Sequence, residues 1–414
     1  MRGRMERVDR GYEIAREMYA EIGVNTDLAM EKLDGIPVSM HCWQIDDLSG
    51  FENPDKGLTG GIQATGRDPS KAKNKDEFYE KLEKALSLVP GRKKVALHAI
   101  YLDNFGSFVE RDVIEPSHFA SWAEWAREHG VGLDFNPTYF SHEKADTDFT
   151  LSSYDPQIRA FWVEHGKRCR RVSAYLGERL GEVCIDNHWI PDGYKDLTVD
   201  RQAHRELLLE SMDQIMAEKY DAAHTVDSWE SKLFGLGLES YTVGSHEFYT
   251  NYAMTHKNCM VCMDMGHFHP TEQIADKLTS YLTFGKEVML HVSRPVRWDS
   301  DHVVILSDEV RDVMAEICRQ DAFGRVHIGT DYFDASINRI AAQALGARSI
   351  KQALLYGLLE PTGRLKEYER EGDYTRRLAY IERQKAMPFG LVWDKYCQKN
   401  DVPTGDWVES ALRG

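Results

Sequence analysis

The sequence predicts an α/β fold, a (β/α)8 TIM barrel with an N-terminal helix and a mostly helical C-terminal extension. Two observations carry this prediction: eight short apolar runs recur along the chain, and helical periodicity of apolar residues lies between them. An open doubly wound sheet is the alternative, but no Gly-rich phosphate-binding fingerprint follows any of the runs. The runs are "IPVSMHCW" (36–43), "KKVALHAIY" (93–101), "VGLDFNPTYF" (131–140), "GEVCIDNHWI" (181–190), "TVDSWESKLFG" (225–235), "NCMVCMDMGHF" (258–268), "KEVMLHVSRPV" (286–296) and "GRVHIGTDYFD" (324–334).

Capping residues mark several of the intervening helices. Asp155 followed by Pro156 is typical of an N-cap and a first helical residue. We expect Thr271 to cap the helix after the sixth run, which would end at Gly285, and Ser307 to cap the helix after the seventh. The segment before the first run predicts one amphipathic helix.

The predicted elements divide the chain into a catalytic barrel domain over residues 1–358, with the N-terminal helix, and a helical extension over residues 359–414. The extension carries apolar residues such as Leu391, Val392 and Trp393. We expect this extension to pack on a neighbouring subunit, so the sequence predicts an oligomer.

Composition restricts the class of partner. The chain has 414 residues with a formal net charge of −16, which disfavours nucleic acid and anionic membrane surfaces as partners. The N-terminus lacks the apolar core of a signal peptide, and no stretch reaches the ~20 apolar residues of a membrane span. We therefore expect a cytoplasmic protein. Its seven cysteines make a poor disulfide framework, and Cys259 and Cys262 should point to opposite faces of one strand.

Polar side chains end the last four predicted strands. The C-terminal ends of the strands in such a barrel meet at one mouth, so these side chains should converge. Buried carboxylates are very costly unless they are paired or bound to metal, so the cluster predicts a cation. Three oxygen ligands and one imidazole nitrogen suit Mn²⁺, Mg²⁺, Co²⁺ or Zn²⁺. The four residues are Glu230, Asp264, His291 and Asp331.

A second set of ligand types lies close by in the sequence. His267 comes three residues after Asp264, and Asp299 and Asp301 form a D-x-D in the loop after the seventh strand. With Asp264 or Glu230 shared, the two sets predict a two-metal site, which can clamp adjacent oxygens of one substrate. Taken singly, each residue has a plainer interpretation as a core histidine, a helix cap or a solvated turn.

Other polar and aromatic residues sit at the same predicted mouth. Lys232 follows Glu230 by two residues and should share its face, where it could bind a developing oxyanion or form a structural ion pair. His98 ends the second predicted strand. Trp43 and Trp189 end the first and the fourth, and such aromatic walls suit sugar faces but equally suit plain packing.

Several longer motifs resemble the L-rhamnose isomerase family across essentially the whole chain. They include "LTGGIQATG", "LHAIYL", "GLDFNP", "ESKLFG", "GHFHPTE", "MLHVSRPVRWDSDHVV" and "LLEPT". The resemblance implies a (β/α)8 barrel related to xylose isomerase, a homotetramer, and interconversion of L-rhamnose and L-rhamnulose, the first step of L-rhamnose catabolism. It also implies two divalent metals per subunit.

The resemblance assigns roles to the residues already singled out. The structural metal site, with Zn²⁺, Mg²⁺ or Co²⁺ as alternatives to Mn²⁺, is implied at Glu230, Asp264, His291 and Asp331. The catalytic Mn²⁺ site is implied at His267, Asp299 and Asp301, with Asp264 bridging. Catalytic roles are implied for Lys232, His98 and Asp331. Substrate contacts are implied for Trp43, His98, Trp189, Lys232, His267 and Asp334.

The implied reaction is a metal-mediated 1,2-hydride shift, with proton transfer through a cis-enediol as the open alternative. The 6-deoxy end of rhamnose needs an apolar contact, which Leu48, Phe51, Leu58 and Ile62 in the first loop could offer. Because apolar pockets reject an added hydroxyl only weakly, we expect side activity on D-allose. A metal-dependent phosphodiesterase using Arg294 and Arg297, and a non-catalytic sugar-binding protein, are the alternative functions.

Overall fold

The structure is a computed structural model that describes residues 2–52, 64–232 and 240–413. Two of the residues expected in the apolar pocket, Leu58 and Ile62, lie outside the described residues. Most of the motif "LTGGIQATG" lies outside them as well.

Eight parallel strands close into a barrel, which confirms the predicted fold class. Each strand lies inside one of the eight predicted runs, and strands that follow one another in sequence are neighbours in the barrel. The strands are β1 (Val38–His41), β2 (Lys93–His98), β3 (Gly132–Asn136), β4 (Cys184–Trp189), β5 (Thr225–Glu230), β6 (Cys259–Asp264), β7 (Val288–Val292) and β8 (Val326–Thr330).

Helices surround the barrel and continue beyond it. They are α1 (Arg2–Glu21), α2 (Thr26–Gly35), α3 (Lys75–Ser87), α4 (Ala120–His129), α5 (Pro156–Leu180), α6 (Arg201–Ile215), α7 (His246–Thr255), α8 (Ile274–Thr283), α9 (Asp308–Arg319), α10 (Arg339–Leu358), α11 (Thr362–Arg370), α12 (Tyr374–Lys385), α13 (Phe389–Lys399) and α14 (Trp407–Leu412).

Two of the three expected N-caps are confirmed. Asp155 accepts a hydrogen bond from the Gln157 amide, and Ser307 accepts one at the start of α9. The expected cap at Thr271 is wrong, because its hydroxyl bonds the His269 ring instead and α8 begins only at Ile274.

The segment before β1 forms two helices instead of the single helix expected. The chain leaves α1 through Gly23, whose φ of 83° is in the left-handed region that favours glycine. Asn25 then caps α2 by accepting hydrogen bonds from the Asp27 and Leu28 amides.

Side chains alternate between the barrel interior and the layer under the helices. Cys262 packs inside with Ile185, Met260 and Met289, whereas Cys259 belongs to the outer core. The two thiols therefore point to opposite faces, as the strand periodicity predicts. All seven cysteines are free.

The C-terminal extension packs on its own chain. Helix α13 lies against α1, and Val392 and Trp393 are buried there without any second subunit. These two side chains are therefore covered by the chain itself, and the expectation that the extension contacts a neighbouring subunit stays a prediction. None of the described helices is long and apolar enough to cross a membrane.

Short strand pairs tie the loops together at the C-terminal mouth. Residues Thr65–Gly66 pair in parallel with Asp334–Ala335. Gly66 has a φ of 139°, and a Cβ there would lie 1.9 Å from the carbonyl carbon of Ala335. Only glycine permits this close approach, which joins the first loop to the loop after β8.

Candidate metal centre and active site

The four strand-end residues converge at the barrel mouth. Glu230 and Asp264 end β5 and β6, His291 lies in β7 directly opposite Asp264, and Asp331 follows β8. One ligand atom from each residue lies within 4.8 Å of the others. Because adjacent parallel strands bring their last residues to one rim, the cluster follows from the closed barrel.

Burial is the largest influence on the pKa values in this cluster, and repulsion among its acids adds to it at Asp264. Burial and the neighbouring Glu230 and Asp331 carboxylates raise the pKa of Asp264 well above its usual value. Burial also raises the pKa of Asp331 to about 7. Burial disfavours the charged ring of His291, but the Glu230 carboxylate outweighs that effect and raises its pKa to about 9. A positive charge is thus favoured among these groups.

The donor set fits a divalent cation. The buried Nδ1 of His291 has no hydrogen-bond partner in the described structure, although it lies 3.2 Å from Oε2 of Glu230. An orphaned buried nitrogen beside three carboxylates is the arrangement that a metal would satisfy.

A second group shares Asp264. Ligand atoms of Asp264, His267 and Asp299 lie within 4.8 Å of one another. The Nδ1–H of His267 donates to the carbonyl oxygen of Ser231 at 2.8 Å, which leaves Nε2 with its lone pair toward Asp299. Burial lowers the pKa of His267, so its ring is neutral, as a metal ligand must be. Here too the residues fit a cation.

Asp301, the fourth residue expected in this second site, lies outside that three-residue group. It adopts a φ of 46° in the loop after β7. Burial and the neighbouring Asp299 raise the pKa of Asp301 well above its usual value. The structure therefore brings it beside the group.

Lys232 forms an ion pair at the edge of the second group. Its Nζ lies 3.0 Å from Oδ2 of Asp299 and 5.2 Å from the centre of the Trp189 ring. Burial disfavours the ammonium, but Asp299 and Asp301 outweigh that effect and raise the pKa of Lys232. The side chain is therefore a fixed positive charge facing the mouth.

An aromatic wall lines the other side of the mouth. Trp43 donates from its indole Nε1 to Oδ1 of Asp331 at 3.0 Å, and its ring lies 4.7 Å from that of His98. Phe140 lies 5.5 Å from both the His98 and the Trp189 rings. The three predicted residues thus form one wall, completed by Phe140, which the sequence reasoning missed although it ends the third run.

His98 is held in a neutral state within this wall. Its Nδ1 lies 3.1 Å from Oγ1 of Thr138, and burial lowers its pKa to about 3. A neutral imidazole has one donor and one acceptor nitrogen. It can therefore accept a proton at one nitrogen and donate a proton from the other without being deprotonated first.

Two orienting residues were also missed. Asn187 donates from Nδ2 to Oε2 of Glu230 at 2.7 Å, and Ser293 donates from Oγ to Oδ1 of Asp264 at 3.0 Å. Hydrogen bonds of this kind fix the orientation of metal-ligating carboxylates. The position of Asn187, two residues before Trp189 on the same strand face, is a signal that could have identified it.

Asp334 belongs to neither donor group among the described residues. Its carboxylate accepts hydrogen bonds from the backbone of Ser336 at 2.9 Å and of Val303 at 3.4 Å. Through these bonds the carboxylate links the loop after β8 to the loop after β7. His269, outside the donor groups as expected, bonds Thr271 instead.

A family model described as L-rhamnose isomerase (RhaA) matches residues 6–413. Among curated relatives, L-rhamnose isomerases from Salmonella paratyphi B and from Escherichia coli (strain SE11) are each 54% identical over 404 residues, covering 97% of this chain and 96% of the relative. Among solved structures, an L-ribulose 3-epimerase matches with 13% identity and a TM-score of 0.46 over 80% of this chain and 96% of that chain. The chain belongs to the L-rhamnose isomerase family.

Proposed function

We propose that this protein is a metal-dependent aldose–ketose isomerase that interconverts L-rhamnose and L-rhamnulose by a metal-mediated 1,2-hydride shift. The observation that carries the proposal is the convergence of Glu230, Asp264, His291 and Asp331 at four adjacent strand ends. The names of the relatives, which are L-rhamnose isomerases, supply the substrate.

The two groups would hold two divalent cations. Glu230, Asp264, His291 and Asp331 would hold the structural ion, for which Zn²⁺, Mg²⁺ and Co²⁺ are alternatives to Mn²⁺. His267, Asp299 and Asp301, with Asp264 shared, would hold the catalytic Mn²⁺. A bound divalent cation supplies Lewis-acid polarisation of substrate oxygens and lowers the pKa of a coordinated water.

Protein side chains then position the sugar and its protons. The Lys232 ammonium faces the mouth, where it would donate a hydrogen bond to the oxygen that gains charge during the shift. Neutral His98 would move the proton that opens the sugar ring. Trp189, which is partly exposed, would cover an apolar face of the sugar, and the buried Trp43 ring would support the wall behind it and exclude water.

The hydride shift and the cis-enediol route predict different fates for the hydrogen at C2. In the shift, that hydrogen moves directly to C1 and stays in the product. In the enediol route a base exchanges it with solvent. L-Rhamnose deuterated at C2 should therefore give L-rhamnulose that keeps its deuterium, and loss of the label to water would refute the shift.

We also propose side activity on D-allose. Leu48 is buried and Phe51 packs in an aromatic cluster with Phe78 and Tyr101, so the described part of the first loop is apolar and would offer the 6-deoxy end of the sugar an apolar wall. Such a wall discriminates weakly against an extra hydroxyl. No detectable D-allose turnover at high enzyme concentration would count against this proposal.

We also propose that the protein is a cytoplasmic homotetramer and that it catalyses the first step of L-rhamnose catabolism. Met5, Ile14 and Met18 on α1 are exposed apolar side chains, which suit a subunit contact. Light scattering on the purified protein tests the assembly, and a monomer would contradict it.

Incubation with L-rhamnose tests the main proposal. The protein should form ketose with Mn²⁺, lose turnover after EDTA treatment, and regain it when Mn²⁺ is restored. A sugar-binding protein would bind L-rhamnose without turnover. A phosphodiesterase would cleave a phosphodiester instead, although Arg294 is engaged by the Val303 carbonyl oxygen at 2.8 Å.

A further inference from the structure

Arg111 lies beneath the aromatic wall with its guanidinium fully engaged. It is 2% exposed, and its Nε and Nη2 form a two-pronged ion pair with the Glu52 carboxylate, both at 3.0 Å. Its remaining donors reach three backbone carbonyl oxygens: Thr138 at 2.8 Å, Phe140 at 2.5 Å and Ser141 at 3.2 Å. All five N–H groups of the side chain thus have acceptors.

These contacts join three consecutive loops of the barrel mouth. Glu52 belongs to the loop after β1, Arg111 to the loop after β2, and residues 138–141 to the loop after β3. His165 of α5 adds a further connection, because it accepts from the Thr138 amide at 3.0 Å and its other ring nitrogen donates to the Arg111 carbonyl oxygen at 3.0 Å. Arg111 is therefore bound through both its side chain and its backbone.

The bound segment carries part of the proposed sugar wall. Thr138 holds His98, and Phe140 fills the space between the His98 and Trp189 rings. Ser141 has a φ of 52°, a conformation that non-glycine residues rarely adopt, so the segment needs external bonds to keep its shape. The three carbonyl bonds from Arg111 supply them.

We propose that Arg111 is a positioning residue for sugar binding, which fixes residues 138–141 so that His98 and Phe140 stand in place against the substrate. This inference rests on the proposed function. The metal donors lie on β5 to β8 and in the loops that follow β6 to β8, and they make none of these contacts. Loss of the Arg111 bonds should therefore loosen the sugar wall and leave the metal groups intact.

Lysine cannot replace this arrangement, because its ammonium has three donors on one atom and cannot pair in two-pronged fashion. Arg111→Lys is expected to raise KM for L-rhamnose and to lower kcat/KM about 10- to 100-fold, since small misplacements of a substrate contact have effects of that size. Mn²⁺ affinity measured by calorimetry should not change. Amide hydrogen exchange over residues 138–141 should become faster, while β5 and β6 keep their protection.

Two further variants make the comparison specific. Glu52→Gln keeps the carbonyl bonds but removes the ion pair, so it should shift KM in the same direction by less, and it carries the test if Arg111→Lys does not fold. Arg319→Lys is the matched control, because Arg319 forms a similar two-pronged pair with Glu360 at 2.8 and 2.6 Å at the opposite end of the barrel. It should leave KM unchanged.

The outcomes separate this inference from the proposed function. Parental KM and parental exchange in Arg111→Lys overturn the positioning role while the isomerase assignment stands. Equal KM changes in Arg111→Lys and Arg319→Lys overturn it as well. So does a fall in the Mn²⁺ affinity of Arg111→Lys that is as large as its change in KM. If the parent does not isomerise L-rhamnose, the proposed function fails, and unchanged exchange over residues 138–141 still overturns the structural claim.

Discussion

The Trp43 indole is expected to strengthen metal binding through Asp331. Trp43→Phe keeps a buried aromatic ring at a position that is 1% exposed but removes the 3.0 Å hydrogen bond from Nε1 to Oδ1 of Asp331. A hydrogen bond to a charged group is worth about 1.5–3 kcal/mol. At about 1.4 kcal/mol per tenfold change, the affinity for the ion held by Asp331 should fall about 10- to 100-fold.

Competition with a chromophoric chelator measures this affinity. Trp189→Phe is the control, because it makes the same ring change in the same wall, while no hydrogen bond from the Trp189 indole to the donor carboxylates occurs in the described structure. Its metal affinity should equal that of the parent. Unchanged affinity in Trp43→Phe, or an equal fall in both variants, would refute the reasoning that this bond orients Asp331.

Three further predictions follow from the described contacts. Lys232→Met should lower kcat about 10²- to 10³-fold through loss of an oxyanion donor, with metal content by elemental analysis unchanged; parental kcat would remove Lys232 from the mechanism. Asn187→Ala should weaken binding of the structural ion about tenfold through loss of its 2.7 Å bond to Glu230, measured by the same competition; parental affinity would contradict this orienting role. Burial lowers the pKa of Lys351 from 10.5 to about 7. Between about pH 7 and 10.5 the unfolded chain therefore holds a proton that the folded chain lacks, so the parent's free energy of unfolding should rise with pH. Relative to Lys351→Met, the parent should gain about 2–3 kcal/mol in free energy of unfolding between about pH 7.5 and 9.5; a pH-independent difference between the two would show that the buried amine is not the cause.

The barrel and the convergence of the candidate metal donors could be predicted from the sequence because both leave local patterns. Short apolar runs separated by helical periodicity identify strands and helices in order. Glu230, Asp264 and Asp331 stand where apolar runs stop, and closure of the barrel alone then brings them together. The prediction needed no knowledge of side-chain conformations.

The residues that orient the site could not be predicted in this way. Asn187 and Glu230 are 43 positions apart, and Arg111 and Glu52 are 59 apart, so no local pattern links the partners. Such pairs depend on which loops meet in three dimensions. The break between α1 and α2 was missed for a different reason, because a single Gly23 within a helical pattern does not by itself end a helix.

Asp264 belongs to both donor groups and therefore gives the most direct test of the two-metal isomerase assignment. Metal content per chain should be measured together with ketose formation from L-rhamnose in the Mn²⁺-loaded parent and in Asp264→Asn. We predict two ions per chain and turnover in the parent, with the loss of both ions and of turnover in the variant. An Asp264→Asn protein that folds, keeps two ions and isomerises L-rhamnose like the parent would contradict the assignment.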